Sequence, residues 1–477
     1  MAYNGDVGSL KTGNSPSLQD RGPALLRQLG LVSATALVVS NMVGSGIFTS
    51  TGFLAADLGN TTTVLLIWVV GALCALAGAL AYSELGINFP SSGGEYVYLT
   101  QAYGRTWGFM AGWISFLAGF SGPIALSAIG FANYLGHFWP SLRQENIAYT
   151  LDLGVMQIRL GGAQAAACGL IAFFTVLNLF GVGRVARVQN VLTSIKVLVL
   201  VAFVGLGLLS GAGHWGHFGE NAVRTSTNPL WAQFGISLFF IYVAYSGWNA
   251  ATYVAEEVKQ PERTLPAALM IGTVLVASLY LLLNIIFIYA VPLEQMKGVV
   301  AVGALAASHL FGPEVAGIFS ALMALSLMST VNAEVTIGPR VYYAMAKNKA
   351  FIPAAAYVDR RWHTPVNAIL AQGICAMLLT FTSLPDLFFY IGITLNFCAA
   401  MSVAALFKFR RRPGWQKLRV VSFAYPLIPV FFILVAIWIT LVGLRLNTKI
   451  TLLSVATVGA GALIYHFLVR PRTAQSS

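Results

Sequence analysis

Two short stretches carry residue types that can bind a small charged molecule inside an apolar environment. The first is Asn41-Met42-Val43-Gly44-Ser45-Gly46-Ile47-Phe48, in the middle of an apolar run from about Leu31 to Leu58. That run is long enough to cross a bilayer as a helix, and Gly44 and Gly46 interrupt it where hydrocarbon would be. A break at that depth frees backbone N–H and C=O groups that lipid cannot satisfy, so it faces protein or a water-filled cavity. Two half-helices meeting there offer N–H groups and a positive dipole end to an anion, and carbonyls to a cation. A zwitterion uses both. The competing reading of Gly44, Ser45 and Gly46 is a packing seam of small residues between helices.

The second stretch, Val243-Ala244-Tyr245-Ser246-Gly247-Trp248-Asn249, repeats the anomaly, with Gly247 lying 203 residues after Gly44. Five spans separate the two breaks by index, and an odd number reverses the direction of travel. Interrupted helices in corresponding positions of inverted halves are a pointer to a midplane transport site. The correspondence favours the cavity over the seam.

Lys196 is the third notable residue. Twelve residues from Arg184 at about 1.5 Å each place it roughly 18 Å into a ~30 Å core. That is too deep for easy snorkelling, so it is expected to face the bundle interior and to have a partner. A fixed tether and a proton- or substrate-coupled role both fit.

Other candidates are weaker. Glu84, Glu95 and Glu334 lie near one membrane interface and are expected to pair with loop arginines. His214 and His217 are three apart, but no carboxylate or cysteine stands at ligand distance, so a solvated loop is the better reading. No span offers a Ser/His, Asp/Asp or metal constellation, and no GxxxxGK[ST] phosphate loop occurs. Neither a catalytic residue, a metal site nor a cofactor is expected.

The elements that must position these residues follow from composition. Of 477 residues, 57% are hydrophobic and 9% charged, whereas an ordinary soluble domain is about a quarter charged. Long apolar runs, rather than short alternating segments, exclude a barrel. The expectation is an all-α polytopic membrane protein with spans at roughly 31–57, 61–86, 103–137, 158–181, 184–210, 229–254, 265–290, 312–343, 365–382, 385–407, 425–444 and 450–469. It divides into an N-terminal tail (1–27), two five-helix repeats (28–210 and 229–408), a final helix pair (425–469) and a C-terminal tail (470–477). Residues 1–22 lack an apolar core, so a flexible tail is expected there and the first span serves as insertion signal.

The net charge of +12 does not indicate a nucleic-acid partner. With both ends cytoplasmic, inner segments hold 21 Lys/Arg and outer loops 6, an asymmetry that sets the orientation. The run Lys408-Phe-Arg410-Arg411-Arg412 is then an anchor beside anionic headgroups of the lipid bilayer. The four cysteines all fall in spans without CxxC spacing, which argues against a disulfide framework.

In order and spacing, several motifs together resemble the amino acid–polyamine–organocation (APC) superfamily, and within it the L-type amino acid transporters and their bacterial relatives. They are Gly44-Ser-Gly-Ile-Phe48, Tyr82-Ser-Glu-Leu85, Ser92-Gly-Gly-Glu-Tyr96, Ala244-Tyr-Ser-Gly-Trp-Asn249 with Glu256, Glu257 and Pro261 behind it, and Gly338-Pro-Arg-Val-Tyr342. The resemblance implies a LeuT-type fold of five plus five inverted helices with two extra, and alternating-access transport of an L-amino acid, commonly by exchange. It implies that backbone N–H groups around Ser45 and Gly46 hold the substrate carboxylate. Carbonyls of Met42, Val43, Val243 and Ser246 would receive its ammonium, and Asn249 would line the pocket beside Gly44 and Gly247. Lys196 matches the family's buried lysine, near the place that sodium occupies in sodium-coupled relatives, which argues against sodium coupling.

Three departures bear on selectivity and partners. Val243 stands where the animal transporters usually have a bulky aromatic gate, with Tyr242 next door expected to point elsewhere. Ala250 replaces a common tyrosine. No cysteine occurs in 138–157, so a disulfide-linked heavy chain is not expected. The function expected is exchange of neutral L-amino acids across the plasma (inner) membrane, independent of sodium; the alternative is proton-coupled symport of amino acids or polyamines. Replacing Ser45 or Gly46 by leucine is expected to abolish uptake with folding largely intact.

Overall fold

The computed structural model describes residues 25–143, 145–152, 157–299, 301–446 and 448–470. The tails expected at 1–27 and 470–477 lie almost wholly outside the described residues. Among those described, nine helices are long and apolar enough to cross a membrane, and shorter apolar helices at Gly162–Asn178, Leu230–Ala244, Val302–Phe311 and Val366–Leu379 lie between them.

Both expected interruptions are present. The first apolar run is two helices, Leu31–Met42 and Ser45–Leu58, with Val43 and Gly44 out of helical geometry. The second is the Leu230–Ala244 helix, a turn at 245–249 and a 3-10 segment, Ala250–Glu257. Around them the Thr61–Asn88 helix packs along Pro261–Ala290, and Pro313–Lys347 packs along Ser121–Leu135. Local chemistry sets several ends. Asn60 caps the helix from Thr61 by accepting from the Thr63 N–H at 3.0 Å, a contact of about 1 kcal/mol.

The third span is not one regular helix. It comprises Arg105–Ile114, a π segment at Ser115–Phe120, and Ser121–Leu135, and a separate short helix, Glu95–Tyr103, precedes it. Pro123 supplies no N–H to the carbonyl of Gly119, which lies one turn earlier, so the helix widens there. The loop after this span adds a pair of short strands to an otherwise helical membrane protein. Ile147–Asp152 and Gln157–Gly161 pair antiparallel, and the second strand is also tied to the segment after Val366–Leu379, the Arg159 N–H donating to Phe381 O at 2.7 Å.

One end of the bundle carries the basic loops and is tied together by backbone and side-chain contacts. The N–H groups of Gln28 and Leu29 both donate to Glu257 O at 2.9 Å, and Lys259 N–H donates to Leu29 O at 2.8 Å. Beneath this short ladder, Arg340 donates through Nε to Glu257 Oε1 at 2.7 Å and through a terminal nitrogen to Oε2 at 3.3 Å. Both side chains are buried, at 1% and 0% exposure. At the same end Glu84 receives both Arg410 donors, the Trp415 indole N–H and the Leu418 N–H, at 2.5 to 3.1 Å. The expected pairing of Glu84 with a loop arginine is therefore found.

Candidate functional site

The two breaks touch. Gly247 has φ +99°, and a β-carbon there would lie 2.3 Å from Asn41 Oδ1 and 2.8 Å from Asn41 C. A left-handed backbone in that close approach admits glycine alone. Gly46 is equally confined: its β-carbon would lie 2.8 Å from Ala244 Cα. Gly46 is thus the seam between the half-helices as well as part of the break, which corrects the expectation that Gly46→Leu leaves folding intact.

Gly44 precedes the Ser45–Leu58 helix without a side-chain cap, so first-turn N–H groups at Ser45 and Gly46 have no intrahelical acceptor. The carbonyls of the breaks are less free. Val43 O accepts from Lys196 Nζ and from the Thr330 hydroxyl, both at 2.8 Å, which fills its two lone pairs. Met42 O accepts from the Tyr280 hydroxyl at 2.7 Å and from Gly44 N–H at 2.9 Å. Val243 O accepts from the Ser246 N–H at 3.0 Å and its hydroxyl at 2.7 Å. Of the four carbonyls implied for an ammonium, Ser246 O is the one that no described donor reaches.

Lys196 is 1% exposed, faces the bundle interior and finds its partners on the first break and on Thr330, at 2.8 Å. Thr193, one turn earlier, joins Ser40 and Gln189, and Gln189 continues to Ser329 and Asn332. This buried network fastens the first half-helix to the Pro313–Lys347 helix.

Ser246, Gly247 and Asn249 line a cavity on the basic side of the breaks, together with Asn41, Tyr242 and Trp248. Three expectations change here. Tyr242 lines the cavity rather than pointing away, because the helix ends two residues later and its last turn is exposed to the cavity. Glu95 meets no arginine; its Oε1 accepts from the Tyr82 hydroxyl at 2.6 Å. Glu334 also lines the cavity and interacts electrostatically with Lys196, whereas the arginine on the same helix, Arg340, is taken by Glu257.

Sequence reasoning passed over Glu95, Asn41 and Tyr280 as site residues. The signal for Glu95 lay in Gly93-Gly94: both have positive φ, turning the chain inward so that the following carboxylate enters the core. Asn41 belonged to the first stretch, and its placement depends on the second break. Tyr280 is one apolar-helix tyrosine among many, and no local pattern marks it.

The family model described as amino acid permease matches residues 29–462. The serine/threonine exchanger SteT of Bacillus subtilis (strain 168) is 28% identical over 457 residues, covering 94% of this chain and 98% of its own length. The large neutral amino acids transporter small subunit 2 of Mus musculus is 29% identical over 421 residues, 86% of this chain and 76% of its own. The human Asc-type amino acid transporter 1 is 28% identical, covering 85% and 75%. With two tied breaks at the centre of an apolar helical bundle and a family match spanning nearly the whole sequence, the chain belongs to the amino acid permease family of the APC superfamily.

Proposed function

We propose that this protein exchanges neutral L-amino acids across the plasma membrane by alternating access, independently of sodium. The carrying observation is the pair of breaks in contact with each other: one offers an uncapped helix N-terminus at Ser45 and Gly46, and the other a Ser246 carbonyl that no described donor reaches, on the wall of a cavity shared with Gly247 and Asn249. The carboxylate of the substrate is held by the N–H groups, where the helix dipole favours it. Its ammonium goes to Ser246 O, with Met42, Val43 and Val243 contributing dipoles through carbonyls that keep internal partners. Asn249 lines the side-chain end. The relatives, by name an exchanger of serine and threonine and transporters of neutral amino acids, support this substrate class.

The architecture that goes with this reading has twelve spans, with residues 28–210 and 229–408 as inverted five-helix halves and 425–469 as an added pair. Packing of Thr61–Asn88 on Pro261–Ala290, helices in equivalent places of the two halves, supports it. The basic end then faces the cytoplasm, and the Arg340–Glu257 pair closes that side. The chain works without a disulfide-linked heavy chain.

The test is uptake of a labelled amino acid mixture into proteoliposomes, empty or preloaded with unlabelled amino acids. Uptake that requires preloading supports exchange. Equal uptake into empty vesicles refutes it and, if driven by an imposed pH gradient, establishes the proton-coupled alternative.

A further inference from the structure

On the wall of the cavity beside the second break, three buried side-chain atoms have no hydrogen-bond partner: Glu95 Oε2, Glu334 Oε2 and Asn41 Nδ2. Glu95 is 1% exposed. Its Oε1 accepts from the Tyr82 hydroxyl at 2.6 Å and from Asn249 Nδ2 at 3.4 Å, whereas Oε2 is buried without a partner. Asn41, from the first half-helix, lines the same cavity, and its Nδ2 is a buried donor without an acceptor. Native interiors leave few such atoms, and each is unfavourable until something pairs it.

A carboxylate that only held the fold together would have both oxygens engaged, as Glu84 does with Arg410, Trp415 and Leu418. Glu334, the other carboxylate on the wall, also leaves Oε2 without a hydrogen bond, but the Lys196 ammonium acts on its charge. No described cation pairs with Glu95. The cavity wall also includes Ser246 and Gly247 of the second break, so a molecule gripped there by its α-substituents can extend its side chain between Glu95 and Asn41.

Glu95 Oε2, the unpaired acceptor on which no cation acts, and Asn41 Nδ2, an unpaired donor of the same wall, are together matched by a group that both donates and accepts. A hydroxyl donates once and accepts. A methyl group does neither, and an ammonium leaves Asn41 unpaired. Phe120, Leu395 and Ala399 supply apolar wall, which suits a short side chain. The geometry points to Glu95 and Asn41 as the side-chain reader of this transporter, selecting amino acids with a short hydroxyl-bearing side chain over apolar isosteres. The side-chain hydroxyl donates to Glu95 Oε2 and accepts from Asn41 Nδ2. This assignment rests on the reading of the breaks as the amino acid site.

The test is competition in preloaded proteoliposomes, with unlabelled L-threonine against L-valine, L-serine against L-2-aminobutyrate, and L-ornithine as the cationic arm. Threonine and serine are expected to outcompete their apolar isosteres by roughly tenfold or more, since a site built around a hydroxyl rejects the analogue lacking it. In Glu95→Leu the threonine-to-valine ratio is expected to fall towards one, the ratio rather than the absolute rate being the readout; Asn41→Leu lowers it too. Equal competition by threonine and valine in the wild-type protein, which needs no variant to fold, overturns the assignment. So does stronger competition by ornithine, or a ratio unchanged in Glu95→Leu. Exchange of some amino acid without hydroxyl preference defeats this inference alone; absence of exchange with every amino acid defeats the transport reading and this one with it.

Discussion

The Tyr280 hydroxyl lies 2.7 Å from Met42 O and 3.1 Å from Ala244 O, so one side chain joins the C-terminal ends of the two half-helices that stop at the breaks. Both carbonyls are helix-end acceptors deprived of their next-turn N–H. Tyr280 also stacks its ring among Trp68 and Tyr245, with centroids 5.4 and 5.0 Å away, which fixes where the hydroxyl points. Tyr280→Phe keeps this packing and removes the tie. The expected loss is about 1–3 kcal/mol, read as a lower melting midpoint of the purified protein together with slower exchange. An unchanged midpoint and rate would show that the tie is dispensable.

Ser45→Leu and Gly46→Leu separate binding from packing. Ser45 is partly exposed at the break, so leucine there covers the helix N-terminus without entering the seam, and exchange is expected to fall at least about a hundredfold, the scale of losing a well-placed charged contact. Gly46→Leu drives a side chain into Ala244 and is expected to lose about 1–3 kcal/mol or more through overpacking. Thermal melts beside exchange assays distinguish the two, and a Gly46→Leu protein as stable as wild type would refute the seam.

Lys196 places its ammonium between the first break and the Pro313–Lys347 helix, with Nζ at 2.8 Å from both Val43 O and Thr330 Oγ, a buried positive charge that repels a second cation there. Exchange is therefore expected to run at the same rate, within about twofold, in sodium and in choline media. Lys196→Met leaves Val43 O with one donor instead of two and is expected to slow exchange at least about tenfold. A requirement for sodium in the wild type would contradict this account.

The Arg340–Glu257 pair predicts a specific thermodynamic pattern. Removing one partner leaves an uncompensated buried charge, so Arg340→Met or Glu257→Gln alone is expected to destabilise by about 3–5 kcal/mol. The double variant is expected to lose clearly less than the sum of the two. Chemical or thermal unfolding of the three variants measures it; additive losses would mean that the two side chains are not coupled.

The sequence by itself determined the class of molecule and the location of its centre. Apolar run length identified a polytopic helical membrane protein, because a helix that crosses hydrocarbon satisfies its own backbone and needs about 20 apolar residues to do so. The glycines at 44, 46 and 247 pointed to the breaks, because they stand in corresponding positions of runs that travel in opposite directions. Burial of Lys196 followed from counting residues along one helix.

What only the tertiary structure decided is which of these groups remain available. Val43 O is legible as a free carbonyl in the sequence, yet Lys196 and Thr330, residues 153 and 287 positions away, fill it. Glu84 and Glu95 flank one turn and share one expectation; one meets Arg410 and the other turns into the cavity. Tyr242 moves from bystander to wall because its helix ends within a turn. Hydrogen-bond capacity is a local property of a residue, but its occupancy is settled by partners brought in from other helices, and no pattern along the chain records them.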